Sequence, residues 1–103
     1  STPPAPTRSL DSARTAVTNA EKAEAGRYAS NELAEAREKL AAADSAVVGE
    51  NMLAAERLAD QARVEAELAS ARTEAAKAAA VNKEMRLGGD ALSEEMQRAG
   101  DQQ

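Results

Sequence analysis

Carboxylates recur at helical spacing in this chain: Glu32, Glu35 and Glu38 in one stretch, Glu56 and Asp60 in another. Side chains three and four apart share one helix face, where paired carboxylates can hold a metal ion or divide acid and base roles. Metal sites in helical bundles draw on a Glu-x-x-His pair or on several inward-facing carboxylates, and this sequence has no His. A solvated acidic face is the simpler reading. Cys is absent as well, which removes disulfides, thiol catalysis and thiolate metal sites. Ser and Thr stand without a His to activate them, and neither a Gly-rich phosphate loop nor a nucleophile elbow occurs. Tyr28, the one aromatic residue, lies in the stretch AGRYAS. A ring placed there plugs the gap of an interrupted helix and hydrogen-bonds locally. No catalytic residue, cofactor or metal is expected, and the chain reads as a non-enzyme.

The elements around these residues follow from composition. Of 103 residues, 27 are Ala, eight Leu, five Val and three Met, with no Ile, Phe or Trp. The net charge of -5 is spread without a basic block, and phosphate recognition needs a cationic stripe, so nucleic acid is not an expected partner. No apolar run approaches the roughly 20 residues of a membrane span. All three prolines fall in STPPAPT, which marks residues 1–8 as a flexible tether. Helix formers then dominate, interrupted at Gly26 and Gly49 before Gly88 and Gly89. Three helical segments are predicted: from Ser9 or Leu10 to Ala25, from an N-cap at Ser30 to Val48, and from an N-cap at Asn51 to Leu87. Residues 88–103 read as a polar tail that frays, with at most a short helix over 91–98.

Periodicity assembles the segments. The second and third carry apolar residues at alternating spacings of three and four, the pattern of a helical seam. With a reversal at Gly49 and Glu50 the seam pairs Val47 with Met52, Ala43 with Ala55, Leu40 with Ala59, Ala36 with Ala62, and Leu33 with Ala66. A large side chain repeatedly meets an Ala, which lets the backbones approach closely. The first segment can extend the same seam, placing Ala20 opposite Ala76, Val17 opposite Ala80 and Leu10 opposite Leu87. The expected fold is all-α: a long antiparallel helical hairpin over 9–87 with its first arm kinked near Gly26. The alternative folds the first segment back into a three-helix bundle. A second apolar line, Val64, Leu68, Ala71, Ala75, Ala78 and Met85, lies on roughly the opposite side of the third segment. Helix propensity alone can account for its alanines, but a helix apolar on two sides also suits two neighbours. That line is the candidate partner interface, for self-association as a dimer of hairpins or for another protein.

At residues 20–72, AEKAEAGRYASNELAEAREKLAAADSAVVGENMLAAERLADQARVEAELASAR, the sequence resembles an Ala-rich bacterial cell-envelope family classed as a domain of unknown function. GRYAS followed by ELAEAREKL is the most distinctive part, and Ser30 stands where many relatives carry Pro. Members are typically exported from Gram-negative cells, often as lipoproteins, and some continue into an OmpA-type peptidoglycan-binding domain. The resemblance implies a periplasmic chain anchored to the outer membrane, with a lipidated Cys before Ser1 and STPPAPT as its tether. It supplies no catalytic residue, and peptidoglycan binding is not carried over, because no OmpA-type sequence follows Leu87 in these residues. The expected function is a non-enzymatic envelope scaffold or spacer. The alternative is a disordered, desiccation-type protectant, since ARTEAAKAAAVNKE is similar to the repeats of late-embryogenesis-abundant chains.

Overall fold

Leu10, Ala13, Val17 and Ala20 recur at three and four and so share one helix face. In the computed structural model, which describes residues 2–102, that face is buried. These residues belong to α1 (Thr7–Lys22), which opens directly after Pro6, with the Leu10 N–H donating to the Pro6 carbonyl at 3.0 Å. A single turn, α2 (Ala25–Tyr28), leads into α3 (Ser30–Val48), and α4 (Met52–Asp101) completes the chain. Among the described residues there is no strand. The fold is all-α, built on a helical hairpin in which α3 and α4 run antiparallel.

Two tight reversals shape it, and both use Glu rather than Gly for the left-handed residue. Glu24 has φ 77° and Glu50 has φ 59°, while no Gly adopts positive φ. Gly26 lies inside α2, and Gly49 sits one residue before the left-handed position, at φ -78°. Asn51 caps α4, its side-chain oxygen accepting from the Ala54 N–H at 3.3 Å. Ser30 is not an N-cap: Ala29 occupies that position and makes no side-chain bond, so Ser30 is the first residue of α3.

The first segment corrects the extended-arm expectation. The chain turns at Ala23 and Glu24, not at Gly26, and the turn reverses direction instead of kinking a straight arm. α1 lies back along the hairpin, antiparallel to α3 and parallel to α4. Leu10 and Ala13 pack with Ala43, Ala59 and Ala62, and Val17 and Ala20 pack with Leu33, Ala36, Ala66 and Ala69. The pairings of Ala20 with Ala76, Val17 with Ala80 and Leu10 with Leu87 do not form, and Leu87 is exposed. The physical reason is burial. Folded back, the four-residue face of α1 is covered by two helices, whereas in the extended arrangement only α4 would cover it. Salt bridges from Arg14 to Asp44 at 2.7 Å and from Arg37 to Glu21 at 2.6 Å run along the α1/α3 edge. Exposed as they are, each contributes at most about 1 kcal/mol.

The expected fraying after Leu87 does not match either. α4 continues through Gly88 and Gly89 to Asp101, 50 residues in one helix. Because the rest of the bundle, ending with Glu24 and Tyr28 at the turn around α2, covers α4 only as far as Lys77, residues 78–101 project beyond it with every residue exposed. At 1.5 Å per residue this free arm is about 36 Å long. The molecule measures 88 × 19 × 15 Å.

Candidate interaction surface

The carboxylates that could have done chemistry are engaged at the surface or solvated. Glu32 accepts from Arg72 at 2.6 Å across the α3/α4 edge, and Glu35 lies 4.0 Å from Lys39. Glu38, Glu56 and Asp60 are exposed. Among the described residues, no three acidic side chains converge in a way that could hold a metal ion. Tyr28 is half-buried at the end of α2, but the local hydrogen bond expected of it does not form among the described residues. Its face lies 5.0 Å from the Arg27 guanidinium and 6.0 Å from the Lys77 ammonium. Lys77 is also 3.3 Å from Glu24. The group pins the turn between α1 and α3 to α4, which is a structural task.

The hairpin seam is built largely from methyl groups. Leu33, Ala36, Ala43, Ala55, Ala59, Ala62 and Ala66 are buried, while Leu40, Val47 and Met52 at the margins are half-buried. Leu33 is the largest fully buried apolar side chain, and it sits in one cluster with Ala66 and Ala69. Thr73 continues the seam toward the free arm. It is wholly buried, and its Oγ1 has no hydrogen-bond partner. An orphaned hydroxyl of this kind costs about 1–3 kcal/mol.

Two surfaces remain outside the core. An open groove of about 1000 Å³ runs between α1 and α4, lined by polar side chains such as Asp11, Thr15, Asn19, Arg63 and Glu67. Arg63 and Glu67 pair with each other along its α4 wall at 2.8 Å. The other surface is the outward face of α4. Val64 and Leu68 lie opposite the buried Ala62, Ala66 and Ala69 and are 53% and 39% exposed. Ala71, Ala75 and Ala78 follow them on the same exposed line, with Met85 at 69%. All six residues of the candidate interface are thus exposed, Leu68 the least.

The line runs further than the sequence reading carried it. Leu92, Met96 and Ala99 keep the same alternation of four and three, and Leu92 and Met96 are 61% and 67% exposed. The signal was present in their spacing, but a Gly pair read as a terminator hid it. No helix among the described residues is long and apolar enough to cross a membrane. Comparison with curated proteins and with solved structures finds no match in either. A family model does match, over residues 8–85, which takes in α1, both turns, α3 and α4 up to Met85. The chain belongs to the family described as Domain of unknown function (DUF4398).

Proposed function

We propose that this protein is a non-enzymatic spacer and interaction module of the Gram-negative cell envelope, tethered to the outer membrane by a lipid on an N-terminal Cys. The observation that carries the module reading is the α4 arm. It leaves a small bundle as a continuous helix and presents an exposed apolar line, a form suited to holding a partner at a distance from an anchor. The envelope setting and the lipid rest on the resemblance over residues 20–72, and the proline-bearing segment before α1 suits a tether. The absence of His and Cys, together with carboxylates that are paired at the surface or solvated, supports a role without catalysis.

The test is fractionation of Gram-negative cells expressing the full reading frame, followed by mass spectrometry of the N-terminus. A lipid-modified Cys at the N-terminus and recovery with the outer membrane are expected. Recovery of an unmodified chain from the cytoplasm would overturn the envelope reading. Circular dichroism in dilute solution decides against the protectant: strong helicity with a cooperative melt is expected, whereas helicity that appears only on drying would favour the protectant.

A further inference from the structure

We infer that this chain pairs with a second copy of itself in antiparallel register, the free arm of each lying along the outward face of α4 in the other. This deepens the reading of the protein as an interaction module and rests on it. From Val64 to Ala99 the exposed line of α4 alternates spacings of four and three without a break, through 64, 68, 71, 75, 78, 82, 85, 89, 92, 96 and 99. That is the repeat of a coiled-coil seam, and Asn82 is its one polar member.

The sizes along the line are not uniform, and the gradient selects the orientation. The half beside the bundle holds Ala71, Ala75 and Ala78, while the arm holds Met85, Leu92 and Met96. A two-fold axis between Lys83 and Glu84 sets Leu92 against the second copy's Ala75, and Met96 against its Ala71. The same axis sets Leu68 against its Ala99 and Met85 against its Asn82. Large meets small at the Leu92/Ala75, Met96/Ala71 and Leu68/Ala99 layers, the rule by which Leu33 packs in one cluster with Ala66 inside the bundle, while nearer the axis Met85 meets the polar Asn82 and Ala78 meets Gly89. A parallel pair would instead stack Ala on Ala at one end and Met on Met at the other, which no single interaxial distance satisfies.

Length agrees. Reflected through that axis, residues 78–101 fall opposite 66–89, so each arm covers the α4 face that α1 and α3 leave open. The strip is roughly 50 Å long and 10 Å wide on each copy, on the order of 1,000 Å² in total, which reaches the lower range of specific interfaces. The arm also needs such a neighbour. Gly88 and Gly89 have no side chain or other helix within reach of an added methyl group, and each weakens a solitary helix. An anionic lipid surface is a poor alternative occupant, because residues 78–101 carry five acidic side chains and three basic ones. At the rim, Glu74 comes near the second copy's Glu95, so salt should tighten the pair by screening them.

Sedimentation equilibrium across the micromolar range reads the dimer, and mixed cysteine variants read its register. The sequence has no Cys of its own, and Ala75 and Leu92 are exposed, so Ala75→Cys and Leu92→Cys leave the bundle core intact. Oxidising the two variants together should give chiefly the mixed disulfide. In the antiparallel pair, the two copies of position 92 lie about 25 Å apart, beyond disulfide reach. Leu92→Glu should weaken the dimer at least tenfold and leave the melt of the dilute monomer unchanged, since Leu92 is exposed on the free arm beyond the bundle. Chiefly homodisulfides, 92 to 92 and 75 to 75, would overturn the antiparallel register. A monomer at every concentration would overturn self-pairing altogether, while leaving open the module reading with a different protein on the same face.

Discussion

Replacing Leu33 by Ala and Ala66 by Leu, singly and together, tests whether size matching holds the hairpin. Leu33 is 1% exposed and Ala66 is 0% exposed, in one cluster with Val17, Ala20 and Ala36. Leu33→Ala removes three buried carbons and leaves a cavity, for a cost of about 2–5 kcal/mol. Ala66→Leu forces the same volume into a filled space, for about 1–3 kcal/mol. If the two sites were independent, the double variant would lose the sum. Because the added Leu occupies the space that the lost one vacates, the double variant should instead recover about 1–3 kcal/mol of that sum. Urea unfolding followed by helical circular dichroism, at one fixed protein concentration, measures all four corners of the cycle. Ala55→Leu supplies the control. Ala55 is also 0% exposed but lies 11 residues, about 16 Å, further along α4. Its cost should add to that of Leu33→Ala. The reasoning fails if Leu33→Ala and Ala66→Leu add within about 0.5 kcal/mol, for then Leu33 does not fill the room that Ala66 leaves.

Three further outcomes follow from local geometry. Glu50 sits at φ 59°, where a side chain costs about 1–2 kcal/mol, so Glu50→Gly should stabilise by roughly 0.5–1 kcal/mol after the loosening of the unfolded chain is counted. Gly49, at φ -78° and with the nearest atoms 3.6 Å from an added Cβ, should accept Ala with a gain of about 0.4–1 kcal/mol. A melting point that falls for either variant would show that the turn is not built as described. Thr73→Val removes a buried hydroxyl that has no partner and nearly preserves shape, so it should raise stability by about 1 kcal/mol. Thermal melts of the two chains side by side suffice, and a loss of stability would mean that the hydroxyl is bonded in solution.

The α3/α4 hairpin could be read in the sequence because its information is periodic. Apolar residues at three and four define a face, and Asn51 two residues after Gly49 marks where the second helix starts. The direction of α1 was not legible in the same way. Leu10, Ala13, Val17 and Ala20 make the same face whether the helix runs on or folds back, and the choice is made at Glu24, a residue type with no left-handed preference to announce it. The arm was hidden by the opposite error. Gly88 and Gly89 cost about 1 kcal/mol each in a helix, which a run of strong helix formers on both sides can offset. Of the candidate surface, the half from Val64 to Met85 was visible as a second apolar line, and Leu92 and Met96 were lost with the arm. Thr73 stood out as polar within the seam, but spacing does not encode that its buried hydroxyl finds no partner.

The closeness that alanine permits has a consequence for transport. Three helices wrapped around methyl groups, one of them running on alone as the arm, give a molecule 88 Å long and only 19 by 15 Å across. Such a needle spins quickly about its long axis and tumbles end over end slowly. Travelling point first, it slips through openings that would stop a sphere of equal mass, so a thicker seam would widen the shaft and narrow the range of meshes it can thread.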